Sequence, residues 1–205
     1  DLSLAVHNTA VPFLWYDVTK DLYFTKNLVF YPKEMEERKT QVEKIPYGTW
    51  ARQGYCTPIG KDTIDYDELT DYILKICRDY QLGIATVAFD EKYSYTLVKR
   101  LTEELDMDFE PVLVHQNSRS LGDSISYLQR IIYEGKLKYA NNPLMESAFI
   151  NGIIEFRQGK PYIMKSSKER NKIDNLFSSF NAIKVHQYME QFHLYETSRD
   201  FVVEL

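Results

Sequence analysis

The chain has 205 residues, 44% of them hydrophobic and 27% charged, with a net charge of −5 at pH 7. That length suits one domain with a substantial buried core, and the acidic balance excludes a protein that coats nucleic acid by bulk charge alone. No apolar run approaches the length of a membrane span, and sixteen Tyr with eleven Phe predict a core and grooves rich in aromatics.

Beginning at Asp1 rather than Met, and without a signal peptide, the sequence reads as a piece of something longer. Residues 10–31 predict two strands: AVPFLWYDV, the turn-like TKD, then LYFTKNLVFY. KEMEERKTQVEK is polar and helix-prone with few apolar anchors, which predicts a surface helix. IPYGTWARQG, with Tyr47 and Trp50, predicts a short helical turn against the core. The clearest helix follows, where Leu69, Tyr72, Ile73, Ile76, Cys77 and Tyr80 form one apolar stripe. Asp65 is placed to cap it, with Glu68 three residues on.

GIATVAFD, from Gly83 to Asp90, is uncharged until its final aspartate and predicts a central strand buried on both faces. Leu97, Val98, Leu101 and Leu105 then mark another helix. FEPVLVHQ predicts a second strand, and Ser118 or Ser120 can cap a helix with the stripe Leu121, Ile125, Leu128 and Ile132, ended by Gly135. A short helix is expected over Leu144 to Ile150, a hairpin turning at Gln158-Gly159, and a final helix from about Arg170 to His193. Strand and helix alternating after an opening hairpin give a single α/β domain over 1–205 with a mixed, partly parallel sheet.

GYCTPIGKD invites comparison with a phosphate-binding loop and fails it. Five residues separate Gly54 from Gly60, and Asp62 stands where Ser or Thr must meet magnesium. Cys56 and Cys77 match no metal spacing, and Cys77 reads as a core thiol suited to a reducing compartment. His7, His115, His186 and His193 share no zinc-ligand spacing, and His186 and His193 read as surface or partner-facing on the last helix.

Aspartates remain. Asp90 closes a core strand and Asp174 opens the last helix. Taken alone, Asp90 has a helix cap as its simplest role; with Asp174 and Asp1 it becomes material for a metal site. Carboxylates gathered in one cleft resist ionisation unless cations neutralise them, and all-oxygen ligands select Mg²⁺ or Mn²⁺. Lys160, Lys165, Lys168, Arg170 and Lys172 lie within thirteen residues, against one acid, Glu169. Such a run can hold a nucleic-acid backbone; a solvated hairpin with surface lysines is the other reading.

Together these residues resemble a known family, the carboxy-terminal nuclease domain of the large terminase subunit of tailed bacteriophages. DLSLAVHNTAV is similar to the family's opening DLS…TA segment, and IPYGTWARQGYCTPIGKDTIDYDEL to its Trp-x-x-Gln-Gly…Asp-Tyr stretch. VAFD matches the strand bearing the second acid, VHQNSRSLGDSISYLQRIIYEGKL and NPLMESAFIN the helices that follow, and KERNKIDNLFSSFNA the segment with the last acid. The order and spacing are more specific than any one motif.

The resemblance implies a ribonuclease H-like fold, a mixed central sheet flanked by helices. It also implies a metal-dependent endonuclease that cuts concatemeric viral DNA during packaging by two-metal hydrolysis. Asp1, Asp90 and Asp174 would be the metal-binding catalytic acids, with two Mg²⁺ or Mn²⁺ ions. Lys165, Lys168, Arg170 and Lys172 would contact DNA. Many relatives have a further acid where this chain has His7. Some have a histidine where it has Asn171, which could orient a water or phosphate but not act as a base. Implied partners are double-stranded DNA bound without sequence preference, an upstream packaging ATPase domain, the portal protein and the small terminase subunit. The implied location is the host bacterial cytoplasm, with no membrane. Two rival readings are a Holliday-junction resolvase or integrase of the same fold, and a non-catalytic portal or capsid docking module using the tail QYMEQFHLYETSRDFVVEL.

Overall fold

Alternating side chains along Thr9–Asp17 (β1) and Leu22–Pro32 (β2) build the expected antiparallel hairpin, in register from Thr9 opposite Phe30 to Asp17 opposite Leu22. The computed structural model describes residues 8–90, 95–165, 172–192 and 201–204, with Lys165 and 201–204 described through their backbone alone. Two short strands lie parallel to β2: Thr57–Ile59 (β3) beside Phe30–Pro32, and Leu137–Tyr139 (β6) beside Tyr23–Thr25. Beyond β1 come Phe201–Glu204 (β9), Ile84–Phe89 (β4) and Val112–Leu113 (β5). The last three strands are parallel to one another, and β9 is antiparallel to β1.

β9 corrects one expectation. Residues 201–204 of the tail, read as a docking segment, are paired between β1 and β4, so their backbone groups serve the sheet. Residues 193–200, His193 among them, lie outside the described set.

β4 is buried on both faces, as its composition predicts, but lies one strand in from the sheet edge, between β9 and the short β5. On one sheet face Val11, Phe13, Phe30, Ile84 and Val87 meet Tyr66–Asp79 (α3) and Tyr95–Glu104 (α4) through Leu69, Ile73, Leu97 and Leu101. On the other, Leu14, Tyr23, Ala85 and Ala88 meet Ser118–Tyr133 (α5), Pro143–Asn151 (α6) and Asp174–Gln191 (α7). Each such Leu or Ile contributes about 1.5–3 kcal/mol relative to exposure. Glu36–Glu43 (α1) and Tyr47–Arg52 (α2) border a third cluster that includes Tyr31, Tyr47, Cys56 and Leu144. Burial pushes the Cys56 thiol up to about 12 and that of Cys77 to about 11.

Local chemistry explains the element ends. Asp65 caps α3 by accepting from Asp67 N and Glu68 N at 3.0 and 3.1 Å. Glu68 turns to the preceding loop instead: its Oε2 accepts from Gly60 N at 2.8 Å and fixes the turn before the helix. Tyr80, the residue after α3, is 69% exposed, past the end of the packed stripe. The cap of α5 is Asn117, accepting from Ser120 N at 2.9 Å, rather than Ser118 or Ser120. Its buried arc turns toward α7, where Ser124 Oγ donates to Gln187 Oε1, so Ile131 is buried and Ile132 is 43% exposed. Gln158 and Gly159 both have positive φ, as a two-residue turn between Gly152–Arg157 (β7) and Lys160–Lys165 (β8) requires.

His186 is a second correction. It is fully buried on α7, donating to or accepting from Tyr127 Oη at 3.1 Å, with the Tyr16 and Tyr23 rings about it. The helix crosses β1 and packs on α5, so most of its circumference is enclosed. Among the described residues, no helix is long and apolar enough to cross a membrane.

Candidate functional site

Parallel pairing of β4 with β5 places Ala88 opposite Val112 and Phe89 opposite Leu113, and Val114 N donates to Phe89 O at 2.7 Å. Asp90 therefore emerges at the carboxyl end of a core strand, beside the segment that follows β5. Gln116 lies on that segment, and its Nε2 donates to Asp90 Oδ2 at 2.9 Å. Asp90 is buried, with 6% exposure.

Asp174 is the first residue of α7, where unpaired backbone N–H groups and the helix dipole favour negative charge. It too is buried, and its Oδ2 has no hydrogen-bond partner among the described residues. Ala88 and Ile173, just before the two acids, belong to one apolar cluster, so Asp90 and Asp174 border the same core.

Asp174 has a polar neighbourhood that the sequence did not suggest. Lys39 on α1, fully buried, donates to Glu43 Oε1 at 2.8 Å. Lys172 Nζ reaches the same oxygen at 3.7 Å. Tyr47 Oη donates to Glu43 Oε2 at 2.5 Å and accepts from Asn8 Nδ2 at 2.7 Å. Burial lowers the Lys39 pKa, with Glu43 opposing it; Lys172 lowers it further, and Asp174 acts in the raising direction. Burial, then Glu43, raises the Tyr47 hydroxyl well above its ordinary value. The expected surface helix α1 is thus corrected: its polar residues Lys39 and Glu43 face inward, because each is satisfied by the other.

The remaining expected residues divide simply. Asp1 and His7 lie outside the described residues, as do Lys168, Arg170 and Asn171. Lys165 ends β8, and Lys160 is tied to Asp123 on α5 at 3.2 Å. Among the described residues, no three His, Cys, Asp or Glu side chains form a group that could hold a metal.

A family model described as the terminase large subunit, endonuclease domain, matches residues 1–190. The chain belongs to that family. This terminase domain is 19% identical over 145 residues to the large terminase subunit of Enterobacteria phage HK97, covering 71% of the chain and 28% of the relative. The crystal structure of the HK97 large terminase superposes with a TM-score of 0.74 at 17% identity, over 89% of this chain and 38% of that one. The chain thus spans about a third of the length of these relatives. The shared fold is the expected mixed α/β, ribonuclease H-like arrangement.

Proposed function

We propose that this terminase domain is a metal-dependent endonuclease that cuts concatemeric viral DNA during genome packaging. The observation that carries the reading is the family match over residues 1–190, which takes in Asp1, Asp90 and Asp174 together. A buried carboxylate oxygen without a hydrogen-bond partner among the described residues, such as Asp174 Oδ2, suits a hard cation, and carboxylate oxygens favour Mg²⁺ or Mn²⁺. Asp90 and Asp174, completed by Asp1, would hold two such ions. Bound there, the ions supply a water of lowered pKa and offset charge on the leaving oxygen of a phosphodiester.

The chain's own residues do the positioning. Gln116 fixes the Asp90 carboxylate by its hydrogen bond, and the first turn of α7 fixes Asp174. Lys172 meets a backbone phosphate, Lys165, Lys168 and Arg170 extend that contact, and Asn171 orients a water or phosphate. Binding of double-stranded DNA is nonspecific and salt-dependent, since phosphate contacts carry no sequence information. An upstream ATPase domain, the portal protein and the small terminase subunit are the proposed partners, in the cytoplasm of a bacterial host.

Nicking of supercoiled plasmid with Mn²⁺, Mg²⁺ or EDTA, beside Asp90→Ala and Asp174→Ala, tests this reading. Metal-dependent nicking that both substitutions abolish, with thermal unfolding showing intact folds, is expected. Cleavage that survives both places the chemistry elsewhere.

A further inference from the structure

The β7–β8 hairpin forms a small sheet of its own. A two-stranded hairpin alone is marginal in water, so what it packs on sets its place. Both helices that begin beside the acids hold β8. Lys160 Nζ lies 3.2 Å from Asp123 on α5, which starts just after Gln116, the partner of Asp90. The Tyr162 ring meets Phe177 of α7 edge-on, with 6.3 Å between centroids. Phe177 follows Asp174 by one helical turn, so the two side chains are neighbours on the surface of α7.

From Tyr162 the contacts continue outward. The Arg157 guanidinium lies over the Tyr162 ring, 4.1 Å from its centroid. One edge rests against Met164 Sδ, and Glu155 Oε2 pairs with it at 3.9 Å. Yet 48% of the Arg157 side chain is exposed, so Tyr162 covers one face of the guanidinium and the other is open to solvent. Asp174, Phe177, Tyr162 and Arg157 thus make a row from the acidic site to the hairpin turn.

We propose that this row is a stacking ledge for an unpaired nucleotide of the DNA strand being cut, with its base on the outer face of Arg157. A guanidinium plane stacks on bases, and the tyrosine ring beneath fixes that plane by cation–π attraction. Every base has a π-face, so such a ledge accepts any sequence. Paired bases already have both faces covered by their neighbours, so the ledge selects opened DNA over intact duplex. The inference rests on the endonuclease reading above and narrows its substrate to DNA unpaired beside the cut.

Fluorescence anisotropy in EDTA, which leaves the DNA uncut, tests the ledge. Two probes share one duplex and carry a short single-stranded tail, either of thymidines or of abasic sites, so their phosphates match and only the bases differ. One stacked base changes affinity by about five- to hundredfold, and the wild type should favour the thymidine tail about tenfold. Arg157→Lys keeps the charge but loses the plane, and should bring that ratio near one with an unchanged salt dependence. Tyr162→Leu should also bring it near one, whereas Tyr162→Phe, which keeps the ring, should retain it. A purely structural role for the stack would weaken both probes alike and leave the ratio intact, and that result overturns the proposal. So does a ratio near one in the wild type, a wild-type ratio in Arg157→Lys, or its loss in Tyr162→Phe. Circular dichroism identifies a Tyr162→Leu protein that fails to fold, and Arg157→Lys, on an exposed side chain, then decides. A wild type that binds neither probe overturns the ledge through its DNA-binding premise, whereas the plasmid assay judges the nuclease separately.

Discussion

His186 turns acidity into a measurable loss of stability. Its ring is enclosed by Tyr16, Tyr23 and Tyr127, with Glu190 Oε2 at 3.8 Å and Asp21 within electrostatic reach. Burial dominates, and it holds the imidazole down at about 3, against 6.5 for an ordinary histidine. The folded protein therefore keeps His186 neutral where the unfolded chain takes up a proton. The resulting stability is fully present above pH 6.5, declines as pH falls below it, and is exhausted only near the folded value of about 3. At pH 5 the unfolded state gains about 1.5 pH units of protonation at about 1.4 kcal/mol each, roughly 2 kcal/mol. Urea unfolding at pH 8 and pH 5 measures this, with His186→Gln as the reference that lacks the titrating group. The wild type should lose about 2 kcal/mol more than the variant between the two pH values. All other groups cancel in that difference, including the cost of losing the Tyr127 contact. Parallel losses in the two proteins would refute the buried, neutral histidine.

Two further outcomes follow from packing. Lys39→Met or Glu43→Leu alone should cost up to about 3–5 kcal/mol in urea unfolding, because each removes one member of a buried ion pair. The double variant should recover most of that loss, and strictly additive losses would show that the pair is not coupled. At Gly60, where φ is +64, an added Cβ would lie 2.2 Å from Thr63 O and 2.7 Å from Asp65 N. Gly60→Ala should therefore cost at least about 2 kcal/mol by thermal unfolding, from left-handed strain plus overpacking. Gly135→Ala, at φ +68 with nothing within 4 Å, should show only the strain, about 1 kcal/mol. Equal losses at the two glycines would contradict the close approach at Gly60.

What could be read from the sequence was what local chemistry controls. The β1–β2 hairpin, the Asp65 cap, the Gln158-Gly159 turn and the buried strand β4 each depend on a few adjacent residues, and each forms as expected. The short strands β3, β6 and β9 owe their existence to partners far along the chain, and nothing within three or four residues announces them. His186 was misplaced because residues at one helix's ordinary outer positions become interior when the helix packs on a sheet and a second helix together. Asp90 and Asp174 do stand where the sequence placed them, at the end of β4 and at the start of α7. Gln116, Lys39 and Glu43 were not legible: their side chains meet those of distant segments, and in sequence they are ordinary polar residues of a loop and a helix.

The two cysteines have a practical consequence. Both thiols are enclosed and resist ionisation, so maleimides and peroxide, which attack thiolates, should find little to react with in the native protein. A single cysteine introduced at an exposed position, such as Tyr133 on α5 or Phe156 on β7, would then be the one thiol that labels readily. Fluorophores or spin labels could be attached there, and the proposed DNA engagement tested optically, without first stripping the native cysteines from the core.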